Sequence, residues 1–278
     1  MPAGWSTPAR DRPLGRVALE VRESPQGLVE MFGLHFAPVT LREAAQVLIQ
    51  AGADRQKGLV VTPNVDHVVI IHRNPLVRRV YESASWVFAD GMPIVWLSRI
   101  LHETGVPERV TGADLLPLVA SNSAKHGLRL FFCGGAPGVA ERLVARLQAV
   151  TPEINVVGTC SPPLGFESDP EESARIVELC NRARPDILFL GLGTPKQEVW
   201  AYQHQSQLDV GPILCFGGAF DLAAGTKTRA PKWLRAAGLE WAWRLASEPR
   251  RLWRRYLVQD VIFAALAVKE ALRARQRG

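Results

Sequence analysis

Short apolar runs alternate with segments of helical spacing along the first 226 residues. Each run is four to six residues long and rich in Val, Ile, Leu or Phe, a composition typical of strands. Strands that alternate with helices form a parallel sheet covered by helices. The pattern therefore predicts an α/β fold with a mostly parallel, Rossmann-like sheet and helices on both faces. The predicted strands are Leu59–Pro63, Trp86–Ala89, Leu128–Cys133, Ile154–Val157, Ile187–Leu190 and Ile213–Phe216.

The sequence also predicts two helix starts and a change in composition near residue 228. Thr40 is placed to cap a helix over Leu41–Gln50, and Pro137 is placed to begin one over Gly138–Leu147. After the Arg229-Ala-Pro sequence the chain becomes helix-like, basic and rich in tryptophan, which predicts two or three further helices. We predict three parts: a flexible N-terminal arm (1–27), an α/β domain (28–227) and a C-terminal helical appendage (228–278).

The composition is typical of an intracellular globular protein. Of the 278 residues, 47% are apolar and 22% are charged, which allows a sizeable core and excludes a disordered chain. The four cysteines form no C-x-x-C pair, so neither a disulfide framework nor a zinc site is expected. The first 27 residues lack the apolar segment of a secretory signal. The longest apolar stretch of the appendage, Val261–Val268, is far shorter than the ~20 residues of a membrane span, so any membrane contact is expected to be peripheral.

The positive charge is concentrated in the appendage. From Lys227 to Gly278 there are thirteen Lys and Arg against four Asp and Glu, whereas the preceding residues carry twenty against twenty-three. Half of the eight tryptophans lie in this segment, and the four arginines within Arg250–Arg255 form one cationic stripe if the segment is helical. Arginine binds phosphate and tryptophan favours the water–lipid boundary, so the pattern indicates an anionic surface as a partner. Helix packing with a solvated charged face is the alternative interpretation.

Polar residues and glycines follow five of the predicted strands at the points where the strands end. Because the carboxyl ends of parallel strands lie at one edge of the sheet, where ligands bind in such folds, these residues are expected to converge on one pocket. Lys196 and Gln197 offer a cation and an amide to a ligand, and Asp90 offers a carboxylate. The five segments are Thr62-Pro63-Asn64, Asp90-Gly91, Gly134–Gly138, Gly191–Glu198 and Gly217–Asp221.

Each motif also has a purely structural interpretation. Gly134–Gly138 before a helix would let backbone N–H groups approach a diphosphate, but a tight turn explains it nearly as well. Asp90 with its following glycine is common turn chemistry, and Thr62 and Asn64 fit Asx or Ser/Thr turns. His67 and His72 are expected to be structural or solvent-facing rather than catalytic. The sequence has no Asp-x-Asp motif and no cluster of His or Cys, so no metal site is predicted.

Taken together and in order, these motifs resemble the bacterial WecG/TagA/CpsF glycosyltransferase family. The likeness extends from about Gly33 to about Tyr256, so the N-terminal arm and the last predicted helix, Val258–Arg277, are expected to lie outside it. The ordered set is specific, although the single motifs are not. It consists of Thr62-Pro-Asn-x-Asp-His, Ala89-Asp-Gly, Glu108-Arg-Val-Thr-Gly-Ala-Asp, Gly134-Gly-Ala-Pro-Gly-Val-Ala-Glu, Pro195-Lys-Gln-Glu, Gly217-Gly-Ala-Phe-Asp, Arg229-Ala-Pro-x-Trp and Gly238-Leu-Glu-Trp-x-x-Arg-Leu.

The resemblance implies an inverting, metal-independent enzyme without a cofactor. Its donor would be a UDP-sugar, typically carrying N-acetylmannosamine or its uronic acid, and its acceptor a polyprenyl-diphosphate-linked sugar. Asp90 matches the family's proposed general base, and Thr62, Asn64 and Gln197 match other residues near the sugar or important for activity. Further substrate-binding residues are expected at Arg109, Thr111, Gly134, Gly135, Gly193, Lys196 and Asp221, the last of these on the ribose.

The resemblance also gives the appendage a role in the site. Arg244, Arg251 and Arg254 match arginines that neutralise the diphosphate of the leaving group or of the lipid acceptor. The protein is therefore expected to be cytoplasmic and peripheral on the inner face of the plasma membrane, with an anionic membrane surface as a partner. The sequence does not choose between oligomerisation and deeper membrane contact as the role of the last helix.

Two other functions are open to an α/β protein with a basic tail. A nucleotide-dependent oxidoreductase would need G-x-G-x-x-G, but Lys196 stands where the third glycine would follow Gly191 and Gly193. A nucleic-acid-binding module would use the arginine stripe on phosphates, but the body is acidic and carries no recognisable nucleic-acid-binding fold. No nucleic-acid partner is expected. The sugar, the acceptor and the polysaccharide pathway stay open.

Overall fold

The structure, a computed structural model, describes residues 27–231, 234, 240–247 and 260–277. Its strands are β1 (Val29–Met31), β2 (Leu34–Phe36), β3 (Gly58–Val61), β4 (Trp86–Val87), β5 (Arg129–Gly134), β6 (Asn155–Cys160), β7 (Ile187–Gly191) and β8 (Pro212–Cys215). Its α-helices are α1 (Leu41–Ala53), α2 (Val65–Arg73), α3 (Pro75–Glu82), α4 (Met92–Leu101), α5 (Gly112–Ser123), α6 (Val139–Val150), α7 (Pro170–Ala183), α8 (Lys196–His204), α9 (Ala219–Ala223), α10 (Glu240–Ser247) and α11 (Asp260–Arg277).

Six of these strands form one sheet in the order β4-β3-β8-β7-β5-β6. Every neighbouring pair in the sheet is parallel. The predicted α/β class and the six predicted strands are therefore confirmed. The strands β1 and β2, which the sequence did not predict, form a separate antiparallel pair.

Side chains alternate between the two faces of the sheet and enter two separate apolar clusters. In β3, Leu59 and Val61 belong to one cluster and Val60 to the other. The first cluster joins the sheet to α2, α3, α4, α7, α8 and α11, and the second joins it to α1, α5, α6 and α9. Helices thus cover both faces, and ligand access is left to the strand edges.

The predicted start at Thr40 is confirmed, whereas the helix predicted to begin at Pro137 and Gly138 begins at Val139. At α1, the Thr40 amide donates to Glu43 Oε2 at 2.7 Å while the Glu43 amide donates to Thr40 Oγ1 at 3.3 Å, which is a capping box. The helix runs to Ala53, three residues past the predicted end. At α6, Gly138 takes a left-handed conformation (φ 81°) directly after Pro137.

The C-terminal part contributes α10 and α11, and α11 packs on the β1–β2 hairpin. The rings of Phe32 and Phe263 lie 5.8 Å apart, and the Phe32 amide donates to Glu270 Oε1 at 3.1 Å. No helix in the described ranges is long and apolar enough to cross a bilayer. The boundaries of the arm and the appendage, at 27/28 and 227/228, stay predictions.

Candidate functional site

The loops after β3 and β4 lie side by side at the carboxyl edge of the sheet. The Asp90 amide donates to the Pro63 carbonyl at 3.1 Å, which continues the pairing of the two strands. The neighbouring Ala89 carbonyl accepts from the Val110 amide at 2.8 Å. These two hydrogen bonds place Asp90 between the loop after β3 and the segment that leads into α5. Asp90 is half-buried there.

The side-chain oxygen of Asn64 caps α2. Asn64 Oδ1 accepts from the amides of Asp66 at 3.1 Å and His67 at 3.4 Å. The side-chain nitrogen makes no hydrogen bond within the described part of the chain, so it is the group that Asn64 can offer to a ligand. Thr62, two residues earlier, is buried.

His67 connects the loop after β3 to the loop after β7. Its Nδ1 accepts from the Asn64 amide at 2.9 Å, so the neutral ring carries its proton on Nε2. Nε2 lies 3.0 Å from Thr194 Oγ1 and donates to it. Burial lowers the pKa of His67 to about 4, in agreement with a neutral ring. His67 is thus a structural link, as the sequence indicated.

The glycine loops after β5 and β7 touch each other through their backbones. The Gly135 amide donates to the Gly191 carbonyl at 2.9 Å. A Cβ on Gly134, which has a φ of 133°, would lie only 2.4 Å from the Gly191 carbonyl carbon. Residue 134 must therefore be glycine for the two loops to approach this closely.

Gln197 ties the loop after β7 to the loop after β8. Its Oε1 accepts from the Gly217 amide at 3.1 Å, and its Nε2 donates to Glu198 Oε1 at 2.9 Å. Gln197 is only 1% exposed, so both ends of its amide are used inside the protein. Gly193, four residues earlier, has a φ of 86°, which favours glycine.

Glu198 is a buried carboxyl group at the start of α8. Its Oε1 also accepts from Thr194 Oγ1 at 3.0 Å and from the Tyr81 hydroxyl at 3.2 Å. Burial raises the pKa of Glu198 to about 7, although the hydrogen bonds from Gln197, Thr194 and Tyr81 act in the opposite direction. The carboxyl group therefore exchanges a proton near neutral pH.

A paired carboxylate and guanidinium join α5 to the start of the appendage. Arg229 Nη1 and Nη2 donate to the two oxygens of Asp114 at 2.6 and 2.7 Å. Thr111 Oγ1 donates to Asp114 Oδ2 at 2.8 Å and accepts from the Asp114 amide at 3.1 Å. Burial alone would raise the pKa of Asp114, but Arg229, Thr111 and Arg109 lower it below its usual value. Thr111 is buried, and its hydroxyl takes part in this cap.

We expect the Asp114–Arg229 pair to couple the appendage to the body. In a double-mutant cycle of Asp114→Ala and Arg229→Ala, the coupling energy should be about 1–3 kcal/mol, since the pair is bidentate but 24% and 21% exposed. Urea unfolding of the four proteins measures it. Losses that add to within about 0.5 kcal/mol would contradict a specific coupling.

Lys196 and Asp221 lie at the same edge, each with an internal partner. Lys196 pairs with Glu167, in the loop after β6. Asp221 Oδ1 accepts from Thr226 Oγ1 at 3.0 Å, and Lys227 Nζ lies 3.9 Å from Asp221 Oδ2. A ligand at either residue would have to compete with these exposed contacts.

The three predicted arginines of the appendage are not positioned by the structure. Arg251 and Arg254 lie outside the described residues, and Arg244 lies on α10 with only its backbone described. Among the residues that the structure does describe, no three His, Cys, Asp or Glu side chains come together as a candidate metal site.

Four residues of the site had no role in the sequence-based prediction. Glu198 and Asp114 each end a quoted motif, and Arg229 begins one, so the signal was their place within the motifs. Tyr81 belongs to no motif, because its contact with Glu198 spans 117 positions and leaves no local pattern.

A comparison with protein families supports the resemblance. The model of the glycosyl transferase WecG/TagA/CpsF family matches residues 29–277. The match corrects one expectation, since it does not end near Tyr256 but includes α11, whose Phe263 and Glu270 contact the β1–β2 hairpin. With nearly all of the described residues matched, the chain belongs to the WecG/TagA/CpsF family and is a glycosyltransferase of cell-surface polysaccharide synthesis.

Proposed function

We propose that this enzyme transfers a hexose of the N-acetylmannosamine type, or a related one, from a UDP-sugar to a polyprenyl-diphosphate-linked sugar, with inversion at the anomeric carbon. The observation that carries the proposal is the position of Asp90, half-buried at the carboxyl edge of a parallel sheet. Ligands of such folds bind in the crevice outside this edge, within reach of a carboxylate placed there.

In the proposed reaction, the Asp90 carboxylate takes the proton of an acceptor hydroxyl. The hydroxyl oxygen bonds to the anomeric carbon while the bond from that carbon to the UDP oxygen breaks, and UDP leaves with the electron pair. A single displacement of this kind inverts the anomeric centre. Thr62 and the side-chain nitrogen of Asn64, on the adjoining loop, would orient the sugar.

The nucleotide would lie over the glycine loops. Gly134 and Gly135 let the loop after β5 lie directly against Gly191 and Val139. A diphosphate would bind the backbone amides at the start of α6, which follows this loop. Asp221 would accept hydrogen bonds from the ribose, and Arg109 and Lys196 would supply positive charge near the phosphates.

Guanidinium groups of the appendage would stabilise the departing UDP in place of a metal ion. We assign this role to Arg244, Arg251 and Arg254 from their match to the family pattern, because guanidinium binds phosphate oxygens in a bidentate manner. The Asp114–Arg229 pair supports the assignment, since it fixes the beginning of the appendage on α5, and the segment that leads into α5 is hydrogen-bonded to Ala89, beside Asp90. The excess of arginine in the appendage further favours docking on the anionic inner face of the plasma membrane.

Release of UDP from a panel of UDP-sugars tests the proposal. We expect release that depends on a short-chain prenyl-diphosphate-linked sugar acceptor and persists in EDTA, with the most active donor naming the sugar. A β-configured product from an α-linked donor would establish inversion by NMR. Retention of configuration, or loss of all activity on chelation that Mg²⁺ restores, would contradict the proposed mechanism.

A further inference from the structure

Glu198 gathers hydrogen bonds from separate parts of the fold. Tyr81 reaches it from α3, Thr194 from the loop after β7, and Gln197 from the first turn of α8. All three act on Oε1, whereas Oε2 is buried and has no partner within the described residues. Burying a carboxyl group in this way is unfavourable, and its contact with Tyr81 reaches a different helix, so its place in the first turn of α8 does not by itself explain it.

The hydrogen-bond partners of Glu198 are themselves bonded to two further loops. Gln197 Oε1 holds the Gly217 amide, four residues before Asp221. Thr194 Oγ1 accepts from His67, whose other ring nitrogen accepts from the Asn64 amide. One carboxyl group is therefore connected by hydrogen bonds to the loops after β3, β7 and β8.

We infer that Glu198 is a positioning residue, which holds Gln197 and Thr194 and, through them, keeps the loops after β3 and β8 in the arrangement that binds the substrates. The inference deepens the proposed function and depends on it only for the nature of the ligand. It also gives Gln197 an indirect role, because Gln197 is buried and acts on the site through Gly217 rather than by contact.

Two substitutions separate the hydrogen-bonding role of Glu198 from its charge. Glu198→Gln keeps a carbonyl oxygen for the three donors and places an uncharged amide where Oε2 lies. Glu198→Ala removes the acceptor altogether. Glu153→Ala, at an exposed position between α6 and β6, is the matched control for the loss of a glutamate.

Hydrogen exchange at the Gly217 amide reports directly on this network. We expect exchange in Glu198→Ala to be faster by at least about 10-fold, while Glu198→Gln and Glu153→Ala stay close to wild type, because only the alanine variant releases Gln197. The Kd for UDP should rise by about 5–10-fold in Glu198→Ala and be restored in Glu198→Gln. Unchanged Gly217 exchange in a folded Glu198→Ala protein would overturn the inference.

The pH dependence of unfolding provides a second readout that does not require the alanine variant to fold. The pKa of Glu198 is raised from 4.5 to about 7, so its contribution to stability is complete below 4.5 and is lost as the pH rises through 7. Tyr81 and Cys215 also face this group, and burial raises both of their pKa values well above the usual range, so they stay neutral. His67 has a lowered pKa and acts in the opposite direction, losing its contribution as the pH falls from 6.5 through about 4.

The comparison with Glu198→Gln removes the His67 contribution, since both proteins retain that residue. Relative to Glu198→Gln, the unfolding equilibrium of the wild type should shift toward the unfolded state by on the order of 100-fold between pH 4.5 and 8. Parallel curves for the two proteins would contradict a buried, proton-exchanging Glu198. Neither exchange nor unfolding requires a sugar donor, so failure of this inference is distinguishable from failure of the proposed transferase activity, which the donor panel tests.

Discussion

Replacement of Asp90 by Asn is expected to lower kcat for glycosyl transfer by about 10²–10⁴-fold. The amide keeps the shape of the side chain but cannot accept the acceptor proton, so the hydroxyl would have to attack while still protonated. The Kd for UDP should change by less than about 2-fold, because a general base contributes to the transition state rather than to nucleotide binding. Acceptor-dependent UDP release and calorimetric UDP binding measure the two quantities.

Asp54→Asn is a suitable control for this experiment. Asp54 is an exposed residue at the end of α1, where its carboxylate contacts Gln50, and it lies on no loop of the carboxyl edge. The control should keep wild-type kcat and UDP affinity. Full kcat in Asp90→Asn would remove Asp90 as the base, whereas an equal loss in both variants would point to a general effect of the lost charge.

Replacement of Gly134 by Ala is expected to lower the free energy of unfolding by about 3 kcal/mol or more. The new Cβ would lie 2.4 Å from the carbonyl carbon of Gly191, and the φ of 133° is strained for any residue with a side chain. Neither backbone can move without breaking the Gly135–Gly191 hydrogen bond or the pairing of β5 with β7. Urea unfolding measures the loss.

Gly138→Ala separates the close contact from the backbone strain. Gly138 also has a positive φ, at 81°, but a Cβ there would meet no atom within 4 Å. Its loss should be limited to about 1–2 kcal/mol, the strain of a left-handed residue. Equal losses at the two positions would mean that the backbone conformation dominates and that the loops after β5 and β7 do not need their close approach.

Most of the fold could be predicted from local pattern. The parallel strands are short and apolar along their whole length, as at Ile213–Phe216, because both faces of the sheet are covered. Thr40 marks a helix start through a cap that acts over three residues, and Pro137 lies two residues before the helix that begins at Val139. The β1–β2 hairpin was missed because each strand is only three residues long. Its Phe32 side chain packs against Phe263, more than two hundred positions away, so no local pattern indicates it.

The candidate site was partly predictable for the same reason. Residues after parallel strands lie at one edge whatever the details of packing, so the placement of Asn64, Asp90, Gly134 and Asp221 at the same edge of the sheet follows from the parallel arrangement alone. The chemical state of each residue does not follow from strand order. The sequence predicts that the Gln197 amide faces a ligand. In the structure this amide is hydrogen-bonded to Glu198 and to Gly217, and Gly217 lies on another loop.

The sequence by itself determined the α/β class, the six strands, the glycine turns and the family, since each rests on residues close together in the chain or on ordered motifs. Only the tertiary structure decided which polar groups are paired and buried. Tyr81 and Glu198 are 117 positions apart, and Asp114 and Arg229 are 115 apart. The raised pKa of Glu198 and the lowered pKa of Asp114 arise from desolvation and partners that exist only once those distant segments pack, and no local pattern encodes them.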